Sequence, residues 1–77
     1  MLTEDVSVAD YYYVSKNAQS TGDNEVHKDP CGWMPLPANR IYLGSFDNCQ
    51  DAVTAAKQHY PKTANGCKHC SEACHTT

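Results

Sequence analysis

Five cysteines stand in a chain of only 77 residues, and this combination limits the folds open to it. A chain of this length buries only about 60% of the surface that its unfolded form exposes, so its hydrophobic core is marginal. Domains of this size are commonly held together by disulfides, by a metal ion or by oligomerisation. We therefore expect one domain that is stabilised by its cysteines as well as by its core.

Four potential metal ligands fall in two closely spaced pairs. Three residues separate His27 from Cys31, and two separate Cys67 from Cys70. Structural zinc sites commonly take four tetrahedral S and N ligands, delivered as two such pairs from distant parts of the chain. The spacing predicts one structural Zn²⁺ bound by His27, Cys31, Cys67 and Cys70. Disulfides and inert buried thiols remain open as alternative interpretations of the same cysteines.

The ends and the charge of the chain bear on compartment and partners. Residues 1–9 are acidic and carry no apolar run of a secretory signal, and no segment approaches the roughly 18 apolar residues of a membrane span. We expect a cytoplasmic protein without membrane partners, in a compartment that keeps thiols reduced. The net charge is −3, with six Lys and Arg against nine Asp and Glu, which argues against tight DNA binding.

Three short segments have the composition of strands. Residues 11–15 are aromatic and β-branched, and residues 25–27 follow after a polar loop and can pair back. Residues 39–44 alternate, with Ile41 and Leu43 on one face. The intervening segment 28–37 contains three prolines and one glycine, so it is expected to be an irregular loop.

A helix is predicted from Asp47 to about Tyr60, where Pro61 ends it. Asp47 and Gln50 have the spacing of a capping box. An apolar stripe follows at helical spacing, and it should pack on the sheet face that carries Ile41 and Leu43. The stripe consists of Cys49, Ala52, Val53, Ala56 and Tyr60.

Cys49 lies on that stripe and is expected to be a buried free thiol, with a disulfide to Cys74 as the competing possibility. The expected fold class is α+β: a small two- or three-stranded antiparallel sheet packed on one helix, with a Cys-rich C-terminal turn or short helix, stapled by zinc. Residues 1–9 are expected to be a flexible N-terminus, and residues 10–77 a single metal-binding domain.

The order of these features resembles a known family. Ser-Thr-Gly at residues 20–22, His27-x3-Cys31, Pro37-x-Asn39-x2-Tyr42, the predicted helix and Cys67-Lys68-x-Cys70 are similar to the Ada-type metal-binding domain. That domain is the zinc-binding N-terminal module of bacterial alkylation-response proteins, and related modules are appended to some bacterial nucleases, where the first ligand is likewise His. The resemblance implies a bacterial origin and the same zinc-holding scaffold.

The chain also departs from that family. In the repair proteins the first ligand is a Cys that accepts a methyl group from DNA phosphotriesters, whereas the matching position here is His27. An imidazole is not the zinc thiolate that this transfer requires, so the resemblance implies the scaffold and not the repair reaction. Cys49, Cys74 and His75 lie outside the four ligand positions.

Three functions are carried forward. The favoured one is a non-catalytic zinc-binding structural or interaction module with a protein partner. The alternative is a thiol redox protein or zinc-thiolate switch that uses Cys67 and Cys70, and a nucleic-acid-binding accessory role ranks third. An enzyme is not expected, because no catalytic motif is visible and a chain this short has little room for a cavity of about 300 Å³ or more.

A protein partner would be bound through aromatic side chains, which are enriched at interface hot spots. About half of them are expected to fill the core instead, because a sheet of this kind buries one face. The candidates are Tyr11, Tyr12, Tyr13, Trp33 and Tyr42.

Overall fold

A computed structural model describes residues 9–18 and 22–76. These residues form a mixed four-stranded sheet with one helix packed against it, which confirms the α+β class. Two single-turn 3-10 helices, Pro37–Asn39 and Glu72–Cys74, lie in the connections. The main elements are β1 (Asp10–Ser15), β2 (Asn24–Lys28), β3 (Arg40–Phe46), α1 (Cys49–Ala56) and β4 (Ala64–Gly66).

The sheet has one strand more than the two or three expected. Its order is β3-β1-β2-β4, with β1 antiparallel to both β2 and β3, and with β4 parallel to β2. The Asn-Gly segment at residues 65–66 has the composition of a turn and no alternation, so its sequence does not indicate a strand. It pairs because the Asn24 amide donates to the Thr63 carbonyl and the Cys67 amide donates to the Val26 carbonyl, both at 2.9 Å.

The core lies between the sheet and α1. Val14, Val26, Ala52 and Ala56 are completely buried, and Tyr12 is nearly so. The half-buried side chains of Ile41, Leu43 and Val53 pack against this cluster, which confirms the predicted contact between the helical stripe and the β3 face. The cluster is small, and each fully buried side chain of this kind contributes only about 1.5–3 kcal/mol. A core of this size agrees with the expectation that a domain of this length needs further staples.

Helix α1 is shorter than predicted at both ends. Its N-cap is Asn48 rather than Asp47, and the Asn48 side chain accepts a hydrogen bond from the Asp51 amide at 2.8 Å. The helix ends at Ala56, and a tight turn follows, in which the Tyr60 carbonyl accepts a hydrogen bond from the Ala64 amide. The early end lets the chain reverse direction and place β4 beside β2.

The expectation of a free thiol at Cys49 is wrong. Cys49 is buried on the predicted stripe, but it forms a disulfide with Cys74, with 6.2 Å between the two Cα atoms. The C-terminal segment is a turn followed by the 3-10 helix that carries Cys74, and this turn faces the first turn of α1. The sequence predicts a compartment that keeps thiols reduced. This disulfide does not agree with that expectation, since disulfides persist mainly in oxidising compartments.

Two expectations concern the terminus and the membrane. The predicted flexible segment 1–9 lies outside the described residues except for Ala9, which is exposed. Within residues 9–18 and 22–76, no helix has the length and apolar character needed to cross a membrane.

Candidate metal centre

The structure brings together the four predicted ligands from two distant parts of the chain. One ligand atom from each of His27, Cys31, Cys67 and Cys70 lies within 4.8 Å of all the others. The His27 Nδ1 atom is 3.6 Å from the Cys31 Sγ and 3.7 Å from the Cys70 Sγ. With a Zn–S bond of about 2.3 Å and a Zn–N bond of about 2.0–2.1 Å, a ligand tetrahedron has an N···S edge of about 3.6 Å and an S···S edge of about 3.8 Å. The two N···S distances match the expected edge, and the longest separation in the cluster exceeds an S···S edge by about 1 Å.

Parallel pairing of β2 and β4 sets one half of this site. The register places Val26 opposite Gly66, so His27 and Cys67, each one residue further on, lie side by side on two neighbouring segments. Because side chains alternate along a strand, His27 lies on the face opposite the core residue Val26. His27 and Cys67 are both completely buried or nearly so. The sequence does not indicate β4 as a strand, yet its pairing with β2 places two of the candidate ligands, His27 and Cys67, side by side.

Two turns supply the other half of the site. A turn with a cis Asp29–Pro30 peptide bond follows β2 and carries Cys31 back toward His27. The turn after Cys67 is closed by a hydrogen bond of 2.8 Å from the Ser71 amide to the Cys67 carbonyl, and it carries Cys70 to the same point. Both sulfurs supplied by turns, those of Cys31 and Cys70, belong to half-buried residues.

Backbone amides are directed at two of the sulfurs. The Lys28 amide donates to the Cys70 Sγ at 3.3 Å, and the His69 amide donates to the Cys67 Sγ at 3.4 Å. Hydrogen bonds to an ionised acceptor are roughly twice as strong as those between neutral groups. Such donors stabilise thiolates, which are the form of cysteine that binds metal. The donor set therefore fits a bound cation on chemical grounds as well as on distance.

Glu25 lies next to the imidazole of His27, on the side opposite the cysteines. Its Oε1 atom is 3.8 Å from the His27 Nε2, on the side of the ring away from the sulfurs. A carboxylate in this position favours the tautomer with its proton on Nε2, which leaves the Nδ1 lone pair for a metal. Sequence reasoning misses this residue. Its position two residues before His27 on the same strand face is the signal that identifies it.

Burial favours the uncharged forms of three of the four side chains, those of His27, Cys67 and Cys70. Burial lowers the pKa of His27 to about 4, so its imidazole is neutral at physiological pH. Burial also raises the pKa values of the Cys67 and Cys70 thiols, and a hydrogen bond with Cys31 adds to the effect at Cys70. A cation held by these residues would reverse this preference at the sulfurs, because it would stabilise the thiolates and displace their protons.

A ring contact joins the loop after Cys31 to the turn between Cys67 and Cys70. The Trp33 indole stacks on the His69 imidazole, with 4.7 Å between ring centroids and 21° between their planes. Trp33 is nonetheless 64% exposed, and it does not belong to the core. The stack ties together the two segments that carry the paired ligands. The sequence gives no indication that His69 contacts Trp33.

An open cleft of about 310 Å³ lies beside Cys70. Its volume is close to the lower limit of about 300 Å³ that is usual for small-molecule sites, and the cleft is open to solvent. The cleft forms where the C-terminal segment packs beside β1 and β2. Its walls are formed by Tyr12, Lys28, Cys49, His69, Cys70, Ser71, Glu72 and Ala73.

Comparison of the chain with protein-family models, with curated proteins and with solved structures found no significant match in any of the three. The candidate metal centre is therefore described by its own geometry, as a cluster of three cysteines and one histidine whose ligand atoms lie close enough together to hold a metal ion.

Proposed function

We propose that this chain is a small, non-catalytic zinc-binding module, in which His27, Cys31, Cys67 and Cys70 bind one Zn²⁺ and the surface around them binds a protein partner. The observation that carries the proposal is the convergence of four ligand atoms within 4.8 Å from segments about half a chain apart. A metal at that point closes β2 against β4 and ties both turns to the sheet.

The donor set favours zinc and a structural role. Three thiolates and one imidazole are soft to borderline ligands, and a Cys₃His set is a common composition of structural zinc sites. Four protein ligands fill a tetrahedral shell and leave no position for a substrate or a catalytic water. The site therefore supports folding rather than metal-assisted catalysis.

We further propose that the scaffold is of the Ada type. This proposal is supported by the order of the candidate ligands and strands along the chain. It is also supported by the Asn39-x2-Tyr42 motif, which lies at the start of β3. Methyl transfer is not expected, because His27 stands where that reaction needs a zinc thiolate. Tight DNA binding is not expected either, because the chain has a net charge of −3 and carries only one Arg, Arg40.

The test is metal content, measured by native mass spectrometry and elemental analysis on protein purified without added metal. We expect one zinc per chain, lost in His27→Ala and retained in the control His59→Ala, since His59 is exposed and lies outside the cluster. A chelator should collapse the dispersed amide spectrum, because structural zinc supplies much of the folding free energy of such domains. Metal-free, reduced protein that keeps a dispersed spectrum would overturn the structural role.

A zinc-thiolate switch is the second candidate, and the Cys49–Cys74 disulfide favours it. That bond lies in the same C-terminal segment as the ligands Cys67 and Cys70, so oxidation chemistry can occur within a few residues of the site. In such a switch, the two thiolates lose two electrons to hydrogen peroxide and form a disulfide, the peroxide takes up two protons from solvent and leaves as two water molecules, and the metal is released. Zinc release on peroxide treatment, with a mass loss of two hydrogens and recovery by dithiothreitol, distinguishes the switch from the purely structural role.

A further inference from the structure

The cleft beside Cys70 has one half of a disulfide in its wall. Cys49 lines this cleft, whereas its partner Cys74 is not one of the described residues that form the walls. The Cys49 residue is only 8% exposed, and the cleft brings a space open to solvent up to it. Disulfides are opened by a thiolate that attacks one of the two sulfurs and expels the other. A thiolate held in the cleft therefore meets the sulfur of Cys49 first.

The chain supplies no free thiol for this attack when its metal site is filled. The cysteines outside the disulfide are Cys31, Cys67 and Cys70, and all three belong to the ligand cluster. Cys70 also lines the cleft, but a bound zinc would occupy its sulfur, to which the Lys28 amide already donates. The nucleophile must therefore come from outside the chain, an inference that rests on the proposed zinc module.

Two side chains of opposite charge line the same cleft, Lys28 on β2 and Glu72 on the C-terminal 3-10 helix. Within residues 9–18 and 22–76, neither of them forms an ion pair. The lysine ammonium is thus available to a ligand carboxylate, and the glutamate carboxylate to a ligand ammonium. Exposed charge pairs contribute up to about fivefold in affinity, which is enough to select between otherwise similar small molecules.

The size of the cleft limits the ligand. A volume of about 310 Å³ is near the lower limit for small-molecule sites, so the ligand has the size of an amino acid or a short peptide rather than of a large cofactor. Tyr12 and Ala73 add apolar surface beside the charged groups. A small molecule that carries a thiol, a carboxylate and an ammonium matches the disulfide sulfur, the two charges and the volume together.

We propose that the cleft binds a zwitterionic amino-acid thiol, of the class of free cysteine and short cysteine-containing peptides, and that Cys49 is its site of attachment. The ligand loses its thiol proton to solvent, and its sulfur forms a bond with the Cys49 Sγ. The Cys49–Cys74 bond breaks, both of its electrons pass to the Cys74 Sγ, and the Cys74 thiolate takes up a proton from solvent. The product is a mixed disulfide at Cys49, and the C-terminal segment is no longer tied to α1 by a covalent bond.

The test treats the zinc-loaded, disulfide-bonded chain with three small thiols that differ mainly in charge: cysteine, cysteamine, which lacks the carboxylate, and 3-mercaptopropionate, which lacks the ammonium. Acid quenching and peptide mass spectrometry locate the adduct. Each rate is divided by the rate of the same thiol with the urea-unfolded chain, which cancels the intrinsic reactivity of the thiol. We expect an adduct on Cys49 and a normalised rate for cysteine about two- to fivefold above that of either single-charge thiol.

Two variants separate the two charges. Lys28→Gln should abolish the preference for cysteine over cysteamine, and Glu72→Gln should abolish the preference for cysteine over 3-mercaptopropionate. Lys62→Gln is the matched control and should leave all three rates unchanged, because Lys62 is exposed before β4 and is not among the described residues that line the cleft. A variant that merely unfolds would lose both preferences together.

Three results would overturn the proposal: an adduct on Cys74 rather than on Cys49, equal normalised rates for the three thiols, or no adduct on a folded chain. Zinc content is measured on the same samples. A zinc-loaded chain that forms no adduct would refute the thiol site and leave the zinc module intact. A chain without zinc would refute the module, and the presence or absence of the adduct at Cys49 would then decide the thiol site by itself.

Discussion

Gly66 is the position at which a single added methyl group should do the most damage to the metal site. A Cβ built on Gly66 would lie 2.6 Å from the Ser71 carbonyl oxygen and 2.7 Å from both the carbonyl carbon and the Cβ of Cys74. Two of these atoms belong to the backbone, and Cys74 is fixed to α1 by its disulfide, so no side-chain rotation relieves the contact. Gly66 directly precedes the ligand Cys67, and movement here displaces the turn that carries two ligands.

The expected cost follows from the size of the overlap. Ordinary carbon contacts lie at about 3.5–4.0 Å, so the segment around Ser71 must move outward by about 1 Å. Overpacking of this kind costs about 1–3 kcal/mol, and the rigid neighbours place Gly66→Ala at the upper end. For a domain of this size, about 3 kcal/mol corresponds to a fall in Tm of about 12–24 °C. The hydrogen bond of 3.0 Å that His75 Nδ1 donates to the Gly66 carbonyl should be lost at the same time.

The assay is thermal unfolding of the zinc-loaded protein together with a zinc competition titration. Gly32→Ala is the matched control, because a Cβ at Gly32 meets no atom within 4 Å. It should change the free energy of unfolding by no more than about 1 kcal/mol, and reduced freedom of the unfolded chain makes stabilisation the expected sign. If Gly66→Ala and Gly32→Ala unfold within a few degrees of each other, the close packing of the C-terminal segment on β4 is refuted.

Three further predictions concern the ligand environment, the helix cap and pH. Glu25→Gln removes the carboxylate behind His27 and should weaken zinc binding by about tenfold or more in a chelator competition, with little change in the amide spectrum; unchanged affinity would remove Glu25 from the site. Asn48→Ala should cost about 1 kcal/mol in denaturant unfolding, whereas Gln50→Ala should cost less than about 0.5 kcal/mol, and the reverse order would restore the predicted capping box. Because burial raises the pKa of both thiols in the Cys67–Cys70 turn, zinc must displace their protons. The logarithm of the affinity should therefore fall by about two or more for each unit of pH lost below neutrality, and a pH-independent affinity would contradict thiolate ligation.

The convergence of His27, Cys31, Cys67 and Cys70 could be predicted from the sequence because its signal is local. Two short-spaced pairs of Cys and His residues indicate metal binding whatever the fold is. The alternation that places Ile41 and Leu43 on one face similarly predicts which face of β3 contacts the helix. These features depend on period and spacing, which tertiary contacts do not alter.

The remaining features depend on contacts between distant segments. β4 is a three-residue segment centred on Asn65, and it is a strand only because its backbone pairs with the edge of β2. Cys49 has the pattern of an apolar helix residue, and its partner is 25 residues away, so nothing near it indicates a disulfide. The hydrogen bonds of the buried Asn65 side chain are equally non-local: it accepts from the amides of Gly66 and Thr76 and thereby holds the C-terminal segment on β4.

X-ray absorption spectroscopy at the zinc edge tests the central claim most directly, because it reports the atoms bonded to the metal in the folded protein. The account predicts a four-coordinate shell of three sulfurs at about 2.3 Å and one nitrogen at about 2.0–2.1 Å. His27→Ala, if it retains any zinc, should lose the nitrogen and keep the sulfurs. A shell made of oxygen and nitrogen alone, or one with fewer than three sulfurs in the reduced wild-type protein, would contradict the proposed centre of His27, Cys31, Cys67 and Cys70.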